Sequence, residues 1–244
     1  MTLRDAGIAI VRAAPWLDTL ARGVYQHVPQ AFHDNPTTRL KSLFAAADKI
    51  VFLQIGAFDG VSGDPIAPLI RADPRWSGIL VEPQPEVFER LVRNCRGFED
   101  RLKPVRCAIS NTSGEATIYS VSAEEMKRRG FDAWAGEVAS FDRQHVLKHF
   151  SEVSVTETQV AVLTVDALAE QNGLTEIDVI VMDVEGHERP IIDSIDWDRW
   201  RVRACVYEHK HLGPEDAQHL RQLLQSQGFL LKEFGRDTVA HRSL

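Results

Sequence analysis

The residues best equipped for chemistry sit at three points along the chain. Asp183-Val184-Glu185-Gly186-His187-Glu188 packs acids and an imidazole together at the end of the apolar run Ile177 to Asp183. Glu208, His209 and His211 follow a second run, Arg203 to Glu208, and Glu82 ends a third, Gly78-Ile79-Leu80-Val81. A histidine with an ordinary pKa near about 6.5 can take a proton from a hydroxyl at neutral pH, and a neighbouring carboxylate can fix its tautomer. His187 is the candidate base. Asp183 and Glu185 are candidates for orienting a ligand, and Glu208 is a further proton acceptor. Glu185 reads equally well as a carboxylate at a helix start, and His187 as a solvent-facing residue of the same turn. Carboxylates and imidazoles can also hold a metal, but no HxxxH or HExxH spacing marks one, so activity is expected to survive chelation.

The stretch before Glu82 narrows the ligand. Ile50-Val51-Phe52-Leu53-Gln54-Ile55 is an apolar run followed by Gly56-Ala57-Phe58-Asp59-Gly60, and such a run between breakers reads as a buried parallel strand. Strand, glycine turn, helix, strand and terminal acid outline a nucleotide-binding βαβ unit, in which the acid receives the ribose hydroxyls. The glycine spacing is Gly56-x-x-x-Gly60-x-x-Gly63, and Phe58 stands where a dinucleotide site needs its second glycine. A bulky side chain there argues against a diphosphate on the backbone and leaves room for a nucleoside without phosphates, such as S-adenosyl-L-methionine. Gly56, Asp59 and Gly60 should surround its methionine end, with Asp59 able to pair with an ammonium or, alternatively, to cap its own turn.

These residues need a scaffold, and the order of elements supplies one. From residue 50 onward strands and helices alternate: a helix over Pro85 to Asn94 with apolar Val87, Phe88, Leu91 and Val92, a strand over Pro104 to Ile109, another over Ala116 to Val121, and one over Val160 to Thr164. A short helix near Asp166 to Gln171 and a helix over Pro214 to Gln227 precede a terminal hairpin, Phe229 to Phe234 and Thr238 to Arg242. Residues 1 to 48 read as a helical extension, with Thr37 or Thr38 capping its last helix. Residues 122 to 152 read as a lid or insertion, whose Arg128, Arg129, Trp134, Phe141, Arg143, His145 and His149 could cover an acceptor.

Composition excludes several classes. The chain has 244 residues, 44% of them hydrophobic, enough for a sizeable core. Its formal net charge of -7 gives no electrostatic footprint for nucleic acid or an anionic membrane surface. No apolar run approaches a membrane span, and the first residues carry no signal-peptide pattern. Cys95, Cys107 and Cys205 are widely spaced and read as reduced core thiols of a cytoplasmic protein.

Several segments together resemble the FkbM family of S-adenosylmethionine-dependent methyltransferases: Phe52 to Gly60, Val81-Glu82-Pro83, Ala108-Ile109-Ser110-Asn111, the D-x-E-G-x-E pattern of Asp183 to Glu188, and Tyr207-Glu208. The resemblance spans roughly residues 50 to 210. It implies a class I methyltransferase (Rossmann-like) α/β fold: a doubly wound sheet of seven strands ending in an antiparallel hairpin, over residues 49–244. It also implies an O-methyltransferase acting on a hydroxyl of a sugar, glycan or secondary metabolite. Cofactor contacts would come from Gln54, Gly56, Asp59, Gly60, Glu82, Pro83, Ala108, Ile109 and Asp183, with the adenine edge read by backbone groups or Asn111. Two departures stand out: relatives have Asp where this chain has Gln54, and Asn where it has Phe58. The competing readings are a nicotinamide-dependent oxidoreductase and a non-catalytic cofactor-binding module, with any homo-oligomer formed through the N-terminal helices.

Overall fold

A computed structural model describes residues 34–131, 138–150 and 153–242. Most of the expected N-terminal extension, Trp134 and any oligomer contact through residues 1–33 lie outside the described residues.

Among the described residues eleven strands form two sheets. In chain order they are β1 (Ile50–Ile55), β2 (Trp76–Val81), β3 (Leu102–Val105), β4 (Ala108–Ile109), β5 (Gly114–Val121), β6 (Ala139–Ser140), β7 (Val155–Leu163), β8 (Val179–Met182), β9 (Ala204–Glu208), β10 (Leu230–Phe234) and β11 (Asp237–His241). The seven-stranded sheet has the order β10-β11-β9-β8-β1-β2-β3. β1, β2, β3, β8 and β9 run parallel, and β11 enters antiparallel between β9 and β10. This is the doubly wound sheet with a terminal antiparallel hairpin that the sequence predicts.

The residue pattern explains the layering. All six residues of β1 and all four of β8 are buried, as central strands covered on both faces must be. On one face Leu53, Ile55, Ile180, Met182 and Cys205 pack with Leu168, Ile191, Trp200 and Leu220 of the helices at 165–171, 188–194, 197–200 and 214–226. On the other, Phe52, Leu80, Val181 and Val206 pack with Leu40, Ile70 and Leu91 of the helices at 36–43, 67–72 and 85–94. Successive strand residues point to opposite faces, so one strand feeds both cores.

Four local expectations are corrected. The cap of helix 36–43 is Asn35, whose side chain accepts from Thr38 N–H (2.9 Å) while Thr38 Oγ1 accepts from Asn35 N–H (3.0 Å). Pro36 at the first helical position leaves Asn35 extended, and the Thr37 hydroxyl turns away to Pro65 O. The run Pro104 to Ile109 is split: β3 closes the edge of the main sheet, and after Arg106-Cys107 the chain leaves it so that β4 pairs with β7. Val160 to Thr164 is the end of a longer strand, β7, which pairs antiparallel with β5 over eight residues. In helix 85–94 Val87 and Leu91 are buried, whereas Val92 is 41% exposed.

The second sheet, β4-β7-β5-β6, carries the insertion at residues 122–152. Within it, helices at 123–129 and 143–149 flank β6.

The turn after β1 fixes where a ligand can sit. Gly56 has φ +75°, and a Cβ built on it would stand 1.9 Å from the carbonyl oxygen of Asp183. Only glycine allows this backbone-on-backbone approach between the ends of β1 and β8. Gly56→Ala should therefore destabilise the protein by about 2–4 kcal/mol in urea unfolding, from clash and left-handed strain together. An unchanged midpoint would mean that the two strand ends do not meet as described.

Candidate functional site

A cleft enclosing about 1130 Å³, its open mouth included, lies beyond the carboxyl ends of β1, β2 and β8. It is lined by the Gly56 turn, Glu82, Asp183, Glu185 and His187. Ala108, Ile109, Ile118 and the β6 residues Ala139 and Ser140 close it from the second sheet. This is the switch point of the sheet, where β1 is flanked by β2 on one side and β8 on the other.

Glu82 is 4% exposed and held by the backbone. Phe58 N–H donates to its Oε2 (3.1 Å) and Gln84 N–H to its Oε1 (2.9 Å). Each oxygen keeps a second lone pair, which suits a pair of adjacent hydroxyls. Burial pushes the carboxyl up to about 7, against those N–H groups and the Arg90 cation. Phe58 reaches Glu82 from a left-handed backbone, φ 48°, with the Arg90 guanidinium 4.8 Å from its ring centroid. Phe58 lines the cleft at the position where the sequence pattern lacks a second glycine.

Two further acceptor groups line the cleft. Gln54 is 3% exposed and its Oε1 has no hydrogen-bond partner. Asp64 Oδ1 accepts from Ile66 N–H (2.8 Å) and Ala67 N–H (3.1 Å), but its Oδ2 is buried without a partner. Burial raises the Asp64 pKa above its ordinary 3.8, opposed first by the neighbouring Gln54 side chain. Two unsatisfied acceptor oxygens lining one cleft suit a cationic donor such as an ammonium. Asp64 was not legible as a site residue: it lies in a polar loop, five positions past Asp59, with no periodicity to mark it.

Asp59 takes the other role open to it. Its carboxylate accepts from Val61 N–H (2.9 Å) and from Ser62 N–H (2.8 Å) and Oγ (2.9 Å), an Asx-type turn, and neither Asp59 nor Gly60 lines the cleft. Gln54, Gly56, Pro83, Ala108 and Ile109 do line it, and Asn111 does not.

Around the fourth-strand acids the structure sorts the cluster. His187 lines the cleft; its Nε2 lies 2.9 Å from Ser110 Oγ and its ring packs 4.7 Å from Phe141. Burial lowers its pKa, favouring the neutral ring. Glu188 is fully buried, braces the loop through Val184 N–H (3.2 Å), and is pushed up to about 7 by burial. Glu208 is 2% exposed, stands behind the cleft wall rather than in it, and is pushed up to about 8 by burial and by Asp183 and Glu185.

From the insertion, Phe141 lines the cleft and His145 reaches Glu185. Arg128 and Arg129 instead pair with Glu125 within their own helix, and Arg143 is exposed. The His149 side chain lies outside the described residues.

A family model described as the Methyltransferase FkbM domain matches residues 54–231. No curated protein sequence matches the chain. Among solved structures, the fibrillarin pre-rRNA processing protein of Methanococcus jannaschii is similar at 11% identity, over 84% of this chain and 74% of that one, with a TM-score of 0.41. A putative RNA methyltransferase from Pyrococcus horikoshii is similar at 12% identity, over 86% and 82%, with a TM-score of 0.43. A precorrin-6y C5,15-methyltransferase from Geobacter metallireducens is similar at 13% identity, over 85% and 87%, with a TM-score of 0.42.

The Asp64 arrangement has a consequence for stability. A carboxyl whose folded pKa is raised contributes stability that is fully present below its unfolded pKa and is lost as pH rises through the folded one. Asp64→Asn keeps the acceptor for the two N–H groups and removes the buried charge. In urea unfolding at about pH 8 the ligand-free variant should be more stable than the parent by about 1 kcal/mol, with the gap closing toward about pH 4. A variant less stable at the higher pH would show that Asp64 is satisfied within the empty protein.

Proposed function

This chain belongs to the FkbM methyltransferase family, and on that premise we propose that it is an O-methyltransferase that uses S-adenosyl-L-methionine to methylate a hydroxyl of a sugar, glycan or secondary metabolite. One observation carries the reading. The cleft has a backbone-held carboxylate and two buried, unsatisfied acceptor oxygens. That pairing suits a nucleoside with adjacent hydroxyls and a cationic tail, and Phe58 leaves no room for a diphosphate.

In this reading Glu82 accepts the two ribose hydroxyls, Asp64 and Gln54 receive the methionine ammonium, and Ala108 and Ile109 flank the adenine. Gly56 and Pro83 shape the floor, and Asp183 faces the reacting end. The cofactor supplies an electrophilic methyl carbon on a sulfonium, so the protein's main task is alignment. His187 takes the proton of the acceptor hydroxyl. Ser110 Oγ holds the ring through its Nε2, and the Phe141 ring limits its rotation. Glu185 orients the acceptor beside it.

A small hydroxylated acceptor, rather than nucleic acid or a lipid surface, agrees with the acidic net charge of -7. Among the described residues no helix is long and apolar enough to cross a membrane. The free, buried thiols Cys95, Cys107 and Cys205 support a reducing compartment, the cytoplasm.

Release of S-adenosylhomocysteine with hydroxylated acceptors tests the activity; cofactor binding with no turnover on any of them would favour a non-catalytic module. Glu82→Ala should weaken cofactor binding by roughly 1.5–3 kcal/mol in calorimetry, the scale of hydrogen bonds to a charged group. Because only the ionised carboxylate accepts both hydroxyls, wild-type affinity should rise from about pH 6 to about pH 8 and level off above. Glu82→Gln should flatten that rise, and a rise that persists in the variant would remove Glu82 from it. His187→Ala should lower kcat by about 10²–10⁴-fold with cofactor affinity little changed. Near-normal kcat in that variant would leave Asp183, Glu185 or Glu208 as the proton acceptor.

A further inference from the structure

Behind the cleft wall, three side chains from three separate elements converge. His145 comes from the insertion helix 143–149, Glu185 from the turn after β8, and His211 from the loop after β9. Glu185 Oε2 lies 2.9 Å from His145 Nε2 and 3.4 Å from His211 Nε2. One ligand atom from each residue falls within 4.8 Å of the others. The side chains are largely enclosed, with exposures of 12%, 13% and 13% for His145, Glu185 and His211. Glu185 holds its position from a left-handed backbone, φ 53°. A second carboxylate lies beside the cluster. Glu208 is 2% exposed, its buried Oε2 accepts no hydrogen bond, and it stands 3.5 Å from His211 Nε2.

We propose that His145 Nε2, Glu185 Oε2 and His211 Nε2 bind a divalent transition-metal ion of the zinc type, with Glu208 Oε2 beside His211. Ligands about 2.0–2.1 Å from a tetrahedral zinc stand about 3.4 Å apart, the scale of the separations around Glu185. Two imidazoles with carboxylates suit zinc or a similar metal, whereas magnesium prefers oxygen ligands and retained water. The ion would tie the insertion, with Phe141 at its cleft edge, to the ends of β8 and β9. Linear spacing gave the expectation of no metal site because the ligands are scattered over three elements; the fold brings them together. Binding of the ion does not rest on the methyl-transfer reading.

The test uses the full chain, freed of metal by dialysis against a chelator and titrated with Zn²⁺ by calorimetry, with Mg²⁺ as a separate titrant. The expected result is about one Zn²⁺ per chain with a raised melting temperature, no comparable Mg²⁺ binding, and at least about 100-fold weaker Zn²⁺ binding in the His145→Ala/His211→Ala double variant. His209→Ala, which alters a neighbouring histidine outside the cluster, should bind as the wild type does. Circular dichroism of the double variant checks its folding, and His145→Gln and His211→Gln singly replace it if it is unfolded. No Zn²⁺ uptake by the wild type, undiminished uptake by a folded variant, or Mg²⁺ bound as tightly as Zn²⁺ would overturn the proposal.

Discussion

The close approach of Gly56 to the Asp183 carbonyl is the constraint on which the rest depends. It lets the turn after β1 lie against the end of β8, and the turn is tied on its other side as well. Gly56 and Ala57 N–H groups both donate to Val81 O (3.0 and 2.9 Å), and Asp183 N–H donates to Ile55 O (3.1 Å). Three strand ends are thereby locked in register, and the residues that follow them are aimed at one space. Glu82 follows β2, Asp183 follows β8, and Phe58 is carried round far enough to donate its N–H to Glu82. A side chain at position 56 would separate the strand ends and the acids with them.

The locked ends gather an unusual amount of buried acid. Glu82, Glu188 and Glu208 are each raised by desolvation first of all, to about 7, 7 and 8. Their environments nevertheless differ. Backbone N–H groups reach both oxygens of Glu82 but one oxygen each of Glu188 and Asp64; Glu188 Oε2, Asp64 Oδ2 and Glu208 Oε2 accept no hydrogen bond. A buried acid oxygen left without a partner calls for a bound donor or cation.

Much of the scaffold was legible because its central strands are apolar throughout. Ile50 to Ile55, Val179 to Met182 and Ala204 to Glu208 announce themselves by composition, and each ends at a residue placed in or beside the cleft. Glu82 was legible for the same reason. The split at Arg106-Cys107 was hidden because both halves of the run are equally apolar, and only pairing partners tell them apart. Asp59 and Asp64 are alike in type and close in sequence; which one turns inward depends on backbone geometry between Gly60 and Gly63. The contact of His145 and His211 with Glu185 depends on tertiary packing of the insertion, for which no linear spacing stands proxy.

The central claim is that this cleft takes a nucleoside with a cationic tail and rejects one with a diphosphate. Calorimetric titration of the purified chain with S-adenosylhomocysteine and, separately, with NAD decides it most directly. The account predicts one S-adenosylhomocysteine bound per chain and no measurable heat from NAD. NAD binding as tightly as S-adenosylhomocysteine, or displacing it, would contradict the reading of Phe58 and of the cleft built around it.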